Sequence, residues 1–226
     1  MHPSSILRME WFVNDYATKA PAGNLKVLDV GSYDVNGSYR PLFNDSRFKY
    51  TGLDMAAGPN VDIALENPYD WSALETDSYD CVISGQAFEH IEFFWVTMAE
   101  MTRVLKPGGL LCLIAPNGFA EHRYPVDCYR FFTDGMIALA RYCQLDVLHA
   151  HTNCGPTGDD NWVSDTAADS MLVARKTYSG PARHPNFARY QCVPAKQETL
   201  RNGFVPYQRK RGVKLLWHKL SRRLFK

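Results

Sequence analysis

The chain has 226 residues, 46% of them hydrophobic and 22% charged, with a formal net charge of +1. Those values suit one well-buried globular core with an appendage; they exclude wholesale disorder and leave little room for two ordinary-sized domains. The total charge says nothing about partners, but its distribution is uneven: residues 201–226 are rich in Lys and Arg and contain no Asp or Glu. Because the basic residues are confined to this segment with no nucleic-acid reader motif, nucleic acid is not expected as a partner.

In chain order, the near-continuous apolar runs at 25–30, 48–53 and 79–84 predict parallel strands buried on both faces. Helical spacing follows at 94–105, where Val96, Ala99, Met101, Val104 and Leu105 can share one face. Lys106-Pro107-Gly108-Gly109 is expected to stop that helix, and 110–115 reads as the next strand. Thr133 or Asp134 can cap a helix over 135–143, and 145–150 and 170–175 read as two further strands around a polar loop. Strands alternating with helices predict a doubly wound α/β sheet. The pattern dissolves after Thr177, which places the core at 24–178, a helical cap at 1–23 and a basic extension at 179–226.

The six cysteines are widely spaced with no C-x-x-C pair, which points away from zinc or disulfides and toward a reducing compartment. No basic leader with an apolar stretch opens the chain, and no apolar run is long enough to span a bilayer. The expectation is a cytoplasmic protein.

The first predicted strand ends in Asp29-Val30-Gly31-Ser32, an acid and a glycine at the place where open parallel sheets collect ligands. A phosphate-cradling G-x-G-x-x-G is not met, because Tyr33 stands at the second glycine and Asp34 adds negative charge. The second strand runs into Asp54, placed to accept the hydroxyls of a ribose. Met55 beside it can lie against an adenine or serve as an ordinary core methionine.

Asp29-Val30-Gly31, Asp54, the run from Tyr79 to Ser84 leading into Phe88-Glu89-His90-Ile91, and Arg103-Val104-Leu105-Lys106-Pro107-Gly108-Gly109 resemble the successive motifs of class I S-adenosylmethionine-dependent methyltransferases. The resemblance covers roughly residues 24–176. It implies a Rossmann-like sheet of order 3-2-1-4-5-7-6 with the seventh strand antiparallel, and S-adenosylmethionine bound across the ends of the first, second and fourth strands. By position, Asp29 and Gly31 would line the methionine part, Asp54 the ribose, and Glu66 the adenine amino group, with Ser32 and Met55 also among the donor-binding residues. Ser84 and Gln86 would close the pocket. Tyr33 departs from a glycine common in the family.

His90 is a candidate base for an acceptor hydroxyl, with the alternative that Glu89 and His90 merely tie a helix to its loop. His122, Arg123, Tyr124, Asp127 and Arg130 lie in a stretch bordering the acceptor site in the family. They can bind a polyhydroxylated or anionic acceptor, or else Arg130 pairs with Asp127 within the loop. The pattern His122-x-x-Pro125-x-Asp127-x-Tyr129-Arg130-Phe131 is similar to small bacterial methyltransferases of sugar and cell-surface polysaccharide pathways, which implies a saccharide or glycan acceptor. His122 and Asp127 alone are too few ligands to argue for a metal. Residues 209–226 form a basic stretch with Val213, Leu216, Trp217, Leu220 and Leu224 on one helical face. That face suits contact with an anionic membrane, or docking on its own domain or on a second subunit in a homo-oligomer. A nicotinamide-dependent oxidoreductase and a non-catalytic scaffold of the same fold are the competing readings.

Overall fold

The computed structural model describes residues 2–20, 23–153 and 168–182. The basic stretch at 209–226 and nearly all of the extension at 179–226 lie outside the described residues, as does most of the loop before residue 168. The described residues all belong to one compact unit.

The described elements are α1 (Pro3–Asp15), β1 (Leu25–Val30), β2 (Phe48–Asp54), β3 (Ile63–Ala64), β4 (Tyr79–Gly85), α2 (Phe94–Val104), β5 (Leu105–Gly118), α3 (Thr133–Tyr142), β6 (Asp146–Thr152) and β7 (Ala168–Arg175). The strands form one sheet in the order β3-β2-β1-β4-β5-β7-β6. Pairing is parallel from β3 through β5, while β7 runs antiparallel to both β5 and β6. This is the class I methyltransferase sheet that the motif resemblance implies.

Side chains alternate across a strand, so neighbours in these apolar runs serve opposite faces. Leu28, Val82, Leu111 and Leu113 pack with Met98 and Met101 of α2 and Met136 and Leu139 of α3. Val27, Cys81, Ile83, Cys112 and Ile114 turn to the other face, against Met9, Phe12 and Val13 of α1. Met9, Phe12 and Val13 stand at the i, i+3, i+4 spacing of one helical stripe, and Pro3 opens that helix where a missing N–H costs nothing.

α2 ends at Val104, so Lys106-Pro107-Gly108-Gly109 follows the helix stop expected there, without leaving the sheet. It is a bulge inside β5: Leu105 pairs with Tyr79 while Leu110 already pairs with Cys81. Gly108 takes φ 81° there. Its amide donates to the Lys176 carbonyl at 2.7 Å, and the Lys176 amide donates back to Gly109 at 3.1 Å. The buried Lys176 ammonium pins the same junction, donating to Asp77 Oδ1 at 2.6 Å and to the carbonyls of Thr102 and Leu105 at 2.8 and 2.7 Å.

Candidate active site

At the carboxyl ends of β1, β2 and β4 lies a cavity of about 580 Å³. Gly31 makes the first turn with φ 77°, and a Cβ there would stand 2.3 Å from that of Ala87. Glycine is therefore required both by the left-handed backbone and by the close approach of the chain after β4. The amides of Gly31 and Ser32 both donate to the Leu53 carbonyl, at 2.9 and 3.1 Å, which ties the turn to the end of β2.

Asp54 lines the cavity from that end. Its carboxylate accepts the Tyr33 amide at 2.9 Å and the Ala56 amide at 3.2 Å. Tyr33 is thus accommodated by its backbone, and its ring lies over Gly58, where a Cβ would come within 2.2 Å of it. Met55 is exposed and lines the same cavity, whose wall continues through Leu65, Pro68 and Trp71. Those three were not singled out from the sequence, because they fall in irregular chain around the two-residue strand β3, where no periodicity marks them.

Gln86 follows β4 in a left-handed conformation, φ 58°. Its amide donates to Ile114 at 3.0 Å and its side-chain nitrogen to Asp169 Oδ1 at 2.9 Å. Asp169 also accepts from Ser4 at 2.5 Å and stands 3.7 Å from the Arg8 guanidinium, so α1 and β7 together hold the residue that closes the cavity.

The other residues expected around the donor lie beneath the cavity or outside it. Asp29 is buried, and the Tyr50 hydroxyl donates to its carboxylate across β1 and β2. Burial pushes its carboxyl up to about 7, partly offset by that hydrogen bond. Ser32 is buried with its hydroxyl on Asn60, and the Ser84 hydroxyl donates to the Val30 carbonyl at 2.7 Å. None of these three lines the cavity, and Glu66 is exposed beyond its edge.

A second cavity of about 330 Å³ shares Gly31, Tyr33, Gln86, His90 and Tyr124 with the first and adds His2, Asn36, Glu89 and His122. Its far wall is the loop after β5, tied to the turn after β4 by the amide of Cys128, which donates to the Glu89 carbonyl at 2.7 Å. The His90 and His122 rings meet edge to face, 4.9 Å apart. Burial lowers the pKa of His90, which keeps its imidazole neutral near pH 7. Glu89 is wholly buried, and neither carboxylate oxygen finds a hydrogen-bond partner in another of the described residues. Burial pushes its carboxyl up to about 8.

Asp127 and Arg130 are engaged with one another, at 2.5 and 2.8 Å, and line neither cavity. The Arg130 guanidinium holds the Asp127 carboxyl well below the usual carboxylate range. Of the two arrangements open in the sequence, the structure adopts the pairing within the loop. Arg123 lines the larger cavity with its guanidinium on Glu121 at 2.7 Å, and Tyr124 borders both cavities.

Residues 28–113 match the family model described as a methyltransferase domain. An uncharacterized methyltransferase of Mycobacterium avium (strain 104) is 28% identical over 198 residues, covering 81% of this chain and 76% of that protein. Among solved structures, the 1,6-didemethyltoxoflavin-N1-methyltransferase of Burkholderia thailandensis, with its substrate and S-adenosylhomocysteine bound, superposes with a TM-score of 0.56 at 15% identity. The match covers 77% of this chain and 79% of that one. The cyclase SpnF superposes equally well, at 0.56 and 15% identity over 76% of this chain and 81% of its own, so the fold by itself does not fix the reaction. The chain thus shares the sheet order of class I S-adenosylmethionine-dependent methyltransferases, and over residues 28–113 and along most of its length it is similar to methyltransferases.

Proposed function

We propose that this protein transfers the methyl group of S-adenosylmethionine to an oxygen of a sugar or of a glycan intermediate of a cell-surface polysaccharide. The observation that carries this reading is the pair of adjoining cavities with His90 on their border. The larger one has Asp54 at its edge for the ribose hydroxyls and Met55, Leu65 and Trp71 as apolar wall, which suits an adenosine carrying a sulfonium. The smaller is lined by His2, Asn36, Glu89 and His122, a set of hydrogen-bonding groups that suits a polyhydroxylated acceptor.

In the step itself the sulfonium S–CH3 bond breaks, an O–CH3 bond forms, and the hydroxyl proton passes to an imidazole. His90 is the first candidate, because burial keeps it neutral and Val126 fixes its ring through Nδ1 at 2.5 Å; His122 is the second. Alignment of an already activated donor with its acceptor supplies most of what the transfer needs. Isothermal titration with S-adenosylmethionine and with its demethylated product tests the donor assignment. Micromolar binding of either supports it and warrants screening nucleotide sugars and glycans as acceptors. No binding by a folded sample would favour the non-catalytic scaffold.

A further inference from the structure

The sequence offers His122 and Asp127 as neighbours, too few to hold a cation. The fold adds two residues from the far side of the second cavity. Glu89 and His90, on the turn after β4, meet His122, on the loop after β5, so that one carboxylate oxygen and one nitrogen of each imidazole lie within 4.8 Å of one another. His90 Nε2 is 3.7 Å from Glu89 Oε1.

Three features separate this cluster from a chance gathering. Glu89 is 0% exposed and borders the cavity, yet its oxygens have no hydrogen-bond partner in another of the described residues, an arrangement that costs several kcal/mol unless a cation or donor joins them. His90 Nδ1 sits 2.5 Å from the Val126 carbonyl, and a carbonyl can only accept. Nδ1 therefore carries the proton, and the lone pair is on Nε2, facing Glu89. His122 is oriented in the same way, with Nδ1 3.1 Å from the Ala120 carbonyl and 3.6 Å from Asp127 Oδ2. An imidazole braced through one nitrogen by a carbonyl or carboxylate presents the other as a metal ligand.

We propose that Glu89, His90 and His122 hold a divalent transition cation of the zinc class, with its remaining positions open to the second cavity. Two imidazoles and a carboxylate are a donor set that zinc accepts while keeping a site for an exchangeable ligand. Metal–ligand bonds of about 2.0–2.2 Å place ligand atoms about 3.4 Å apart, so side-chain rotations that draw the cluster in by roughly 1 Å complete the shell. The acceptor class that follows is one with a hydroxyl or carboxylate oxygen able to replace water on the ion, which lowers the pKa of a bound hydroxyl. With the cation in place the two histidines would be ligands rather than bases, and a hydroxyl acidified on the ion would pass its proton to solvent water. The site assignment does not depend on the methyl-transfer reading, and its test contains no methyl donor, so either can fail alone.

The full-length protein, freed of metal with a chelator, is titrated with Co2+ followed by visible absorption, and with Zn2+ followed by calorimetry. One equivalent per chain is expected, with ligand-field bands that vanish in His122→Ala and affinity lowered at least about tenfold in Glu89→Gln. Thermal unfolding of the metal-free variants checks that they fold. His122 is 25% exposed on a loop, so His122→Ala carries the test if Glu89→Gln does not fold. Absence of saturable binding of either ion, or an unchanged spectrum and stoichiometry in His122→Ala, would overturn the proposal.

Discussion

Asp54 ends β2 with its carboxylate already accepting the amides of Tyr33 and Ala56, so it orders the turn on each side of the larger cavity before any ligand arrives. A hydrogen bond to a charged group contributes about 1.5–3 kcal/mol. Asp54→Ala is therefore expected to weaken S-adenosylmethionine binding by about ten- to a hundredfold; calorimetry giving an unchanged affinity would remove the ribose assignment. Gly31 has neither a usable φ nor space for a Cβ. Gly31→Ala should cost about 1–3 kcal/mol from backbone strain alone, with the contact against Ala87 added to it, read as a lower thermal midpoint. Asp29 has a different signature. Its folded carboxyl titrates near 7 against an ordinary value of 3.8, so the folded state binds the extra proton between those limits. Its contribution to stability is present at low pH and is lost as pH rises from about 4 to 7. Asp29→Asn should flatten that part of the stability profile relative to the unaltered protein, whereas parallel profiles would count against the buried-acid account.

Among the elements, α1 depends on partners far away in sequence. The Trp11 ring packs at a tilt against His149 of β6, 4.6 Å between centroids, and burial, with His151 nearby, pushes the His149 pKa down to about 4. Unfolded histidine takes up a proton near pH 6.5, so stability falls as the pH drops from about 6.5 to 4. Replacing His149 with Gln should lessen that acid sensitivity in thermal unfolding, and an identical acid limb would place its cause elsewhere. The strands β1, β2, β4, β5 and β7 were legible because burial on both faces leaves an uninterrupted apolar run, a signal that needs no knowledge of the partner strand. β3 was not, since two residues carry no period. The helix stop at Lys106–Gly109 was legible from Pro and Gly, but that the segment stays in the sheet as a bulge of β5 was not, since it is held there by Lys176, 67 or more positions away in the chain. Glu89 was visible as a residue, but its isolation depends on burial, which adjacent residues do not reveal. Asp127 and Arg130 were legible as a pair three apart; that they would satisfy one another and leave both cavities to Tyr124 and the histidines is a property of the folded loop.

For the molecule as a whole, a ligand that binds the folded state alone adds about 2.7 kcal/mol at a hundredfold excess over its dissociation constant. At roughly 2–4 °C per kcal/mol for a chain of this size, saturating S-adenosylmethionine should raise the melting temperature by about 5–11 °C. No shift at millimolar donor would argue against a donor site in the folded protein. Among the described residues no helix is long and apolar enough to cross a membrane.

The family motifs invite a shorter protein cut just before β1, with α1 treated as packaging. The bonds around Asp169 make such a cut unsafe. Without residues 2–20 the seven strands persist on paper, yet Asp169 loses both Ser4 and Arg8, and the Tyr39 hydroxyl loses Ser5. A buried carboxylate deprived of its cation costs about 3–5 kcal/mol, and here the same carboxylate steers Gln86 at the mouth of both cavities. Anyone preparing a minimal version, or splicing an affinity tag onto its front, would do well to keep the first helix and put a flexible spacer ahead of Pro3.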